Sequence, residues 1–277
     1  MIPFLQTPLA LALSSLLALG SPAGTPGPRP HDYLGTWNYD QPDRATQRNI
    51  AVIGATPPIH VPQIGDIVFT RTGAAITGRT DQGCTWTFAV RPASLELDPP
   101  AQQCFNRVIG SAYTITKWSV TVAGDHARES IEAVSHQPTG DYSFRLDDGR
   151  RTRAAAGSGA RFTGAWRYDP ADPQTRVNIV TTRHTAPDRV TQSPRQGTVT
   201  FTGRRGVVTA RTGDGCAWRL TARGNTAKLD PAGQTCGGTT LTFWTVASDG
   251  RRQASVQAGT GPDGGTFLLS VGALTRW

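Results

Sequence analysis

Two segments of the 277-residue chain have nearly the same sequence. Residues 83–104 read GCTWTFAVRPASLELDPPAQQC, and residues 215–236 read GCAWRLTARGNTAKLDPAGQTC. The similarity continues upstream, where GTWNYD at 35–40 aligns with GAWRYD at 164–169. A repeat unit of about 120 residues is a whole domain and much longer than a solenoid or propeller unit. The chain is therefore predicted to contain two homologous domains in tandem.

The repeat also sets the predicted domain boundaries. The first domain is predicted to span residues 33–153 and the second residues 161–277. Between them, the small residues AAAGSGA at 154–160 are typical of a linker.

The four cysteines occupy matching positions in the two copies: Cys84 and Cys104 in the first, Cys216 and Cys236 in the second. A zinc site would need shorter ligand spacings and nearby histidines, so no metal site is predicted. We predict one disulfide in each domain. A bridge that closes a loop of this length contributes about 3 kcal/mol in the chain-entropy account.

Within each copy, large apolar residues alternate with small or polar ones. Trp86, Phe88 and Val90 share one side of a predicted strand, and Trp218 and Leu220 do so in the second copy. Turn signals divide each copy into eight or nine such strands, and no substantial helix is predicted. An antiparallel meander of that length must close or stack, because free strand edges promote aggregation. The predicted fold class is all-β, with two tandem antiparallel barrels.

A Gly-x-Trp sequence opens each copy, and an arginine lies on its last strand. These residues are Trp37 with Arg153, and Trp166 with Arg276. The pattern resembles the lipocalin or calycin family, which implies a small up-and-down barrel whose closed end holds an arginine against a tryptophan ring. Such a cation–π contact contributes about 0.5 to 2 kcal/mol. The alternative is a β-sandwich in which each tryptophan is an ordinary core residue.

The N-terminus indicates export. Residues 9–19 (LALALSSLLAL) have the length of a signal-peptide core and are too short to span a bilayer. Ser21 and Ala23 are the small residues that a signal peptidase reads. We predict a signal peptide at 1–23, a Pro/Gly linker at 24–32, and a secreted mature chain without a transmembrane segment. An uncleaved anchor is the alternative.

The net charge of +8 at a sequence pI near 9.9 comes almost entirely from arginine, since Lys117 and Lys228 are the only lysines. A basic surface could bind nucleic acid, an anionic cell-envelope polymer or acidic lipid. The arginines are scattered along the chain, which favours an ordinary solvated surface and makes nucleic acid an unlikely partner.

The sequence offers no repeated catalytic residues. None of the five histidines has a counterpart in the other copy, and the cysteines are assigned to disulfides. Asp98 and Asp230 precede prolines and are better explained as turn-capping carboxylates than as an acid/base pair. No catalytic residue and no cofactor is predicted. A histidine within hydrogen-bond reach of a carboxylate or hydroxyl inside a cleft would favour an enzyme instead.

The residues that do recur are aromatic or amide side chains. The candidate ligand-binding residues are Trp86, Trp118 and Asn49 in the first copy, and Trp218, Trp244 and Asn178 in the second. Inward tryptophans could line a pocket, but in an eight-stranded barrel they can equally fill the interior, which is the favoured interpretation. Trp277 is predicted to dock its ring on the second barrel.

Three functions follow from these observations. The first is a secreted, non-catalytic binding protein that recognises a small ligand, a glycan or a protein through loops or a shallow pocket. The second is a secreted hydrolase with a site in one copy. The third is a module that associates with the anionic cell envelope, for which binding should collapse as salt rises.

Overall fold

The structure is a computed structural model. It describes residues 27–137, 140–155, 157, 159–185 and 188–277, with the side chain of Arg204 left out. The predicted signal peptide at 1–23 lies outside the described residues.

The first half of the chain forms eleven strands after one short helix. They are α1 (Pro30–Tyr33), β1 (Gly35–Tyr39), β2 (Ile50–Ile53), β3 (Ile59–Pro62), β4 (Asp66–Thr72), β5 (Ala75–Thr80), β6 (Thr85–Val90), β7 (Leu95–Leu97), β8 (Gln102–Asn106), β9 (Ser111–Ala123), β10 (His126–Gln137) and β11 (Gly140–Arg153).

The second half repeats this order after one 3-10 turn at Gly159–Arg161. Its strands are β12 (Gly164–Tyr168), β13 (Ile179–Thr185), β14 (Asp188–Pro194), β15 (Thr198–Arg204), β16 (Val207–Thr212), β17 (Ala217–Arg223), β18 (Thr226–Leu229), β19 (Gln234–Cys236), β20 (Thr239–Ser248), β21 (Arg252–Thr260) and β22 (Thr266–Arg276).

Each half closes into an antiparallel barrel of eight strands. In the first, the ring runs β1-β4-β5-β6-β7-β9-β10-β11, and β11 pairs with β1 to close it. In the second, the ring runs β12-β15-β16-β17-β18-β20-β21-β22, and β22 pairs with β12. Closure leaves no free edge within the ring. The predicted fold class, two tandem all-β barrels with one disulfide each, is confirmed.

The strand count differs from the eight or nine expected per copy, because three strands lie outside each ring. In the first half, β2 and β3 form a hairpin on the N-terminal part of the long strand β11, and β8 pairs with one end of β9. Strands of 13 and 14 residues, such as β9 and β11, extend past the ring and can pair with two partners along their length.

Short helical turns close one end of each barrel. Trp37 is fully buried on β1 and donates its indole N–H to the carbonyl of Tyr33 at 2.7 Å. Trp166 does the same on β12, with the carbonyl of Phe162 at 2.6 Å. A buried indole N–H requires an acceptor, and the helical turn just before the first strand supplies it.

The barrels contact each other through a polar seam. Asn38 donates to the carbonyl of Arg223 at 2.6 Å, and Asn225 donates to the carbonyl of Tyr39 at 2.7 Å. Gly224, between the acceptor Arg223 and the donor Asn225, has φ +60°, and an added Cβ there would lie 2.7 Å from the amide nitrogen of Asn38. A side chain at this turn would therefore push the barrels apart.

Charged and apolar contacts continue the seam. Lys228 Nζ lies 2.6 Å from Asp66 Oδ2, and Thr245 Oγ1 donates to Asp81 Oδ2 at 3.1 Å. Next to them, Ile64 belongs to a small buried apolar cluster with residues of the second barrel, Ala247 and Ala254.

Candidate functional site

The second barrel contains a cavity of about 430 Å³ at the end opposite its 3-10 turn. This volume lies within the range of small-molecule sites. Apolar and aromatic side chains form much of its wall. They are Val180, Trp218, Leu241, Trp244 and Phe267.

At the equivalent position, the first barrel carries a larger side chain that packs on a core tryptophan. Cys104 pairs with Tyr113 across β8 and β9, and Cys236 pairs with Thr239 across β19 and β20, so these two positions are equivalent. The ring of Tyr113 packs against Trp86 with centroids 5.5 Å apart. The threonine of the second barrel leaves that space open, and Thr239 lines the cavity.

A second difference in sequence between the two copies makes the cavity more polar than the same region of the first barrel. Ile131 pairs with Trp118 in the first barrel, as Gln257 pairs with Trp244 in the second. Ile131 is a buried apolar residue, whereas Gln257 is equally buried and lines the cavity. The amide of Gln257 donates to the hydroxyl of Tyr168 at 3.2 Å.

Arg195 also lines the cavity, and its counterpart in the first barrel is Gln63. The main-chain N–H of each donates to the carbonyl of an equivalent asparagine at 2.7 Å, Asn178 and Asn49 respectively. The guanidinium of Arg195 lies 5.4 Å from the centroid of the Tyr168 ring. Its Nε is buried and has no hydrogen-bond partner in the described part of the chain.

Two carboxylates at the cavity are held by internal donors. Asp214 accepts from Thr212 Oγ1 at 2.5 Å and from the N–H of Cys216 at 3.1 Å, and these bonds hold the pKa of Asp214 below its usual value. Asp263 accepts from the N–H of Gly265 at 3.1 Å, which likewise lowers its pKa. Both groups are therefore ionised at neutral pH.

A histidine on β13, at the cavity rim, contacts both strand β14 and the loop between β21 and β22. His184 Nδ1 lies 2.9 Å from Asp263 Oδ2, and His184 Nε2 lies 3.0 Å from the hydroxyl of Thr191. This places a histidine next to a carboxylate and a hydroxyl at a cleft, which is the observation that sequence reasoning associated with an enzyme. Thr191 itself is exposed on β14 and is not part of the cavity wall.

The first barrel has a similar set of carboxylate, histidine and hydroxyl contacts, at a position that is not equivalent in the repeat. His136 Nδ1 lies 2.8 Å from Asp141, and its Nε2 lies 2.9 Å from Thr114 Oγ1. Because carboxylate, imidazole and hydroxyl occur together at two unrelated rim positions, the motif also serves to connect neighbouring strands.

The four candidate tryptophans have different surroundings in the two barrels. Trp218 and Trp244 line the cavity, and their indole N–H groups donate to Thr212 and Ser255. Trp86 and Trp118 lie in the packed core of the first barrel, with ring centroids 6.3 Å apart.

The candidate asparagines lie directly before β2 and β13 and are fully buried. Asn49 and Asn178 have φ values of 55° and 52°, in the left-handed region that asparagine tolerates better than most residues. Asn178 donates to the carbonyls of Asp169 and Ala273 and accepts from the N–H of Ala273 at 2.9 Å. Asn49 makes the corresponding three bonds. These amides join the end of the first strand to the last strand, and neither lines the cavity.

At the closed end of each barrel, an arginine lies near the tryptophan of the first strand. The guanidinium carbon of Arg153 is 4.2 Å from the ring centroid of Trp37, and that of Arg276 is 5.3 Å from the ring centroid of Trp166. Trp277 is 71% exposed, and its ring is covered on one side by Arg167 at 4.2 Å.

Sequence reasoning missed a buried ion pair inside the first barrel. Arg151 Nε lies 2.9 Å from Glu129 Oε2, with both side chains almost completely buried. The second barrel has Leu274 and Ser255 at these positions. Comparison of the two copies at their inward positions is the signal that could have revealed both this pair and the polar residues of the cavity.

The chain has little similarity to known proteins. No protein-family model and no curated protein matches it. Among solved structures, a DUF3598-family protein of unknown function from Nostoc punctiforme is 7% identical, with 89% of this chain and 97% of that chain covered, at a TM-score of 0.26. A candidate outer membrane protein of Bacteroides fragilis is 8% identical, with 89% and 98% covered, at a TM-score of 0.28. Similarity at this level carries no inference about function.

The two disulfides, Cys84–Cys104 and Cys216–Cys236, indicate a location outside the cytoplasm, because cytoplasmic thiols are kept reduced. In the described ranges, no helix has the length and apolarity needed to cross a bilayer. Over the same ranges, no cluster of three or more histidine, cysteine, aspartate or glutamate side chains could hold a metal ion.

Proposed function

We propose that the protein is a non-catalytic binding protein that is exported from the cytoplasm and takes up a small ligand in the cavity of its second barrel. The first barrel serves as a packed structural partner. The observation that carries this proposal is the difference between the copies: Thr239 and Gln257 line an open volume where Tyr113 and Ile131 fill the first barrel.

The chemistry of the cavity supports binding of a compound with an apolar body. Trp218, Trp244 and Phe267 offer aromatic surface, and polar or charged residues make up about half of the lining. Apolar and aromatic surface combined with polar groups that fix the orientation of the ligand is a common composition of small-molecule sites.

The test is titration of the full chain with 2-naphthalenemethanol, a neutral aromatic probe, followed by tryptophan fluorescence. We expect quenching, because two of the seven tryptophans line the cavity. The variant Thr239→Tyr introduces the tyrosine of the first barrel and should weaken binding at least about tenfold, since a filled pocket excludes the ring.

The reciprocal variant Tyr113→Thr in the first barrel is the matched control and should leave the second-barrel affinity unchanged. Equal affinity of Thr239→Tyr and the unaltered chain would contradict the proposal. Circular dichroism of both variants establishes that the barrels remain folded.

The contacts of His184 favour a second candidate function, a hydrolase whose site lies at the cavity rim. Asp263 would orient the imidazole, and the unprotonated Nε2 would accept the proton of the Thr191 hydroxyl as that oxygen attacks the carbonyl carbon of an ester. The protonated imidazole would give this proton to the departing alcohol, and water would then release the acyl group from Thr191. The exposed position of Thr191 outside the cavity wall makes this the weaker candidate.

A panel of p-nitrophenyl esters tests the hydrolase directly. An enzyme requires turnover that Thr191→Val and His184→Gln each abolish. Turnover that stays at the level of free imidazole in the unaltered chain excludes this function.

A further inference from the structure

We infer that the ligand of the second barrel is an amphipathic carboxylate whose anionic group pairs with Arg195. This inference rests on the proposed binding function of the cavity and specifies the chemical class of its ligand.

The first support is a buried donor without a partner, Nε of the partly exposed Arg195. No hydrogen bond or ion pair within the described ranges reaches the guanidinium of Arg195, and its Nε is buried without a partner. Arginine remains charged at all physiological pH values, so this group cannot relieve its desolvation by losing a proton. A planar guanidinium matches the two oxygens of a carboxylate, which would give the buried Nε the acceptor that it lacks.

The second support is the placement of this cation. The face of Tyr168 holds the guanidinium by a cation–π contact at 5.4 Å, and the Tyr168 hydroxyl accepts from Gln257. One N–H of the Gln257 amide makes that bond, and its second N–H is a further donor at the cavity surface. A carboxylate bound at Arg195 would thus have the neutral amide of Gln257 as a second donor.

Neither of the two carboxylates that also line the cavity is bonded to Arg195 in the described part of the chain, although the charge of Arg195 contributes to the lowered pKa of Asp214. The oxygens of Asp214 accept from Thr212 and from the Cys216 N–H, and those of Asp263 interact with the Gly265 N–H and with His184. Internal donors stabilise both carboxylates, with Arg195 as a further cause at Asp214, whereas Arg195 Nε has no acceptor among the described residues. Arg195 is therefore the charged group to which a ligand can supply a missing hydrogen-bond acceptor.

The third support comes from the repeat. The first barrel, whose interior is filled, has Gln63 at the equivalent position, and this amide donates to the carbonyl of Val61 at 3.2 Å. The cation thus occurs in the copy that has the cavity, while the filled copy has a neutral residue satisfied by its own main chain.

Three probes with one aromatic ring system test the inference by calorimetry on the full chain at a single ionic strength. They are 2-naphthoate, neutral 2-naphthalenemethanol and cationic 2-naphthylmethylammonium. We expect naphthoate to bind at least about tenfold more tightly than the alcohol, and the ammonium compound to bind most weakly, because a hydrogen bond to a charged partner contributes about one to two powers of ten in affinity.

The decisive variant is Arg195→Gln, which installs the residue of the first barrel. It should weaken naphthoate binding about 10- to 100-fold and change the affinity for the alcohol by less than about threefold. Arg195→Lys keeps the charge without the planar fork and should give an intermediate loss. If Arg195→Gln does not fold, the affinity ranking of the three probes for the unaltered chain still tests the assignment of a carboxylate ligand.

The outcomes separate this inference from the proposed function. If the alcohol binds as tightly as naphthoate, the carboxylate assignment is wrong and the binding function stands. If the ammonium probe binds most tightly, the assignment is also wrong, and Asp214 and Asp263 set the charge preference. If no probe binds, both the inference and the proposed function fail.

Discussion

At the residue scale, the two barrels differ most in how they fill their interiors. In the first, the carboxylate of Glu129 accepts from Arg151 at 2.9 Å and from the Trp118 indole at 3.2 Å. Burial by itself would lower the pKa of Arg151, but the adjacent carboxylate more than offsets this, so the pKa lies above its ordinary value. In the second barrel, the indole of Trp244 donates to the neutral hydroxyl of Ser255 at 3.0 Å, so the acceptor carries no charge.

This difference between the barrels predicts that substitutions at Glu129 and Arg151 have strongly coupled effects on the free energy of unfolding. Arg151→Leu introduces the second-barrel residue but leaves Glu129 buried without its cation, so we expect the free energy of unfolding to fall by about 3–5 kcal/mol. Urea unfolding of the full chain, followed by near-UV circular dichroism, measures the change.

The matched control is the double variant Glu129→Ser with Arg151→Leu, which gives the first barrel the complete pair of the second. It should be less destabilised than Arg151→Leu, because the indole of Trp118 can donate to the new serine hydroxyl. Additive effects of the two substitutions would show that the ion pair is not coupled in this way.

At the scale of elements, each disulfide fastens a short outer strand to the ring. Strand β8 pairs with β9 alone, and Cys104 on β8 is bonded to Cys84 at the start of β6. Strand β19 is held in the same way by Cys236 and Cys216. In the second barrel, the residue that follows this strand across its turn is Thr239, which lines the cavity.

Removing a disulfide should therefore have a different effect in each barrel. Replacing both cysteines by serine should lower the free energy of unfolding by about 3 kcal/mol in either barrel, according to the chain-entropy account. In the second barrel it should also weaken probe binding, because the strand next to the cavity loses its anchor.

The comparison of the two double variants is the measurement. Cys84→Ser with Cys104→Ser should retain the affinity of the unaltered chain for the aromatic probe, and Cys216→Ser with Cys236→Ser should lose it at least in part. Equal affinities in both variants would mean that the short outer strand does not shape the cavity.

The outer hairpins show a second difference between the copies. In the first barrel, the chain just after the β2–β3 hairpin packs against the second barrel through Ile64. The corresponding strand of the second barrel, β14, is exposed along its whole length. The covered hairpin belongs to the barrel with the filled interior, and the exposed hairpin carries Thr191 at the rim of the cavity.

At the scale of the whole molecule, the barrels meet at two carboxylates. Burial, followed by repulsion from Asp66, raises the pKa of Asp81 to about 7, while Lys228, Thr245 and Arg151 act in the opposite direction. An unperturbed aspartate has a pKa near 3.9. The folded chain therefore binds this proton more tightly than the unfolded chain does.

The sign of the pH effect follows from this shift. The stabilisation that comes from protonated Asp81 is fully present below about pH 4 and is lost as the pH rises through about 7. Asp81→Asn keeps an acceptor for Thr245 and carries no charge at any pH. We expect it to stabilise the chain at pH 8 and to have little effect at pH 4, as measured by urea unfolding at the two pH values.

Asp98→Asn is the control, because this carboxylate is exposed and lies away from the seam. A stability change on Asp81→Asn that is the same at pH 8 and pH 4 would contradict a shifted pKa at the seam.

Much of the fold was determined by the sequence alone. The duplicated segment established two domains, because two copies of one sequence adopt one fold. The equal spacing of Cys84 with Cys104 and of Cys216 with Cys236 established the disulfides. Alternation of apolar and polar residues established strands with one buried face, because successive side chains of a strand point to opposite sides.

The cavity was decided by the tertiary structure. Alternation shows that Trp86 and Trp218 both point inward, but not how deep each ring lies or what stands opposite it. That depends on strand register around a closed ring, which brings Arg195, just after β14, to the same cavity as Thr239 on β20 and Gln257 on β21. A single exchange at one such meeting point, Tyr113 for Thr239, separates a filled interior from an open one, because a barrel of eight strands has little more space than its own side chains occupy.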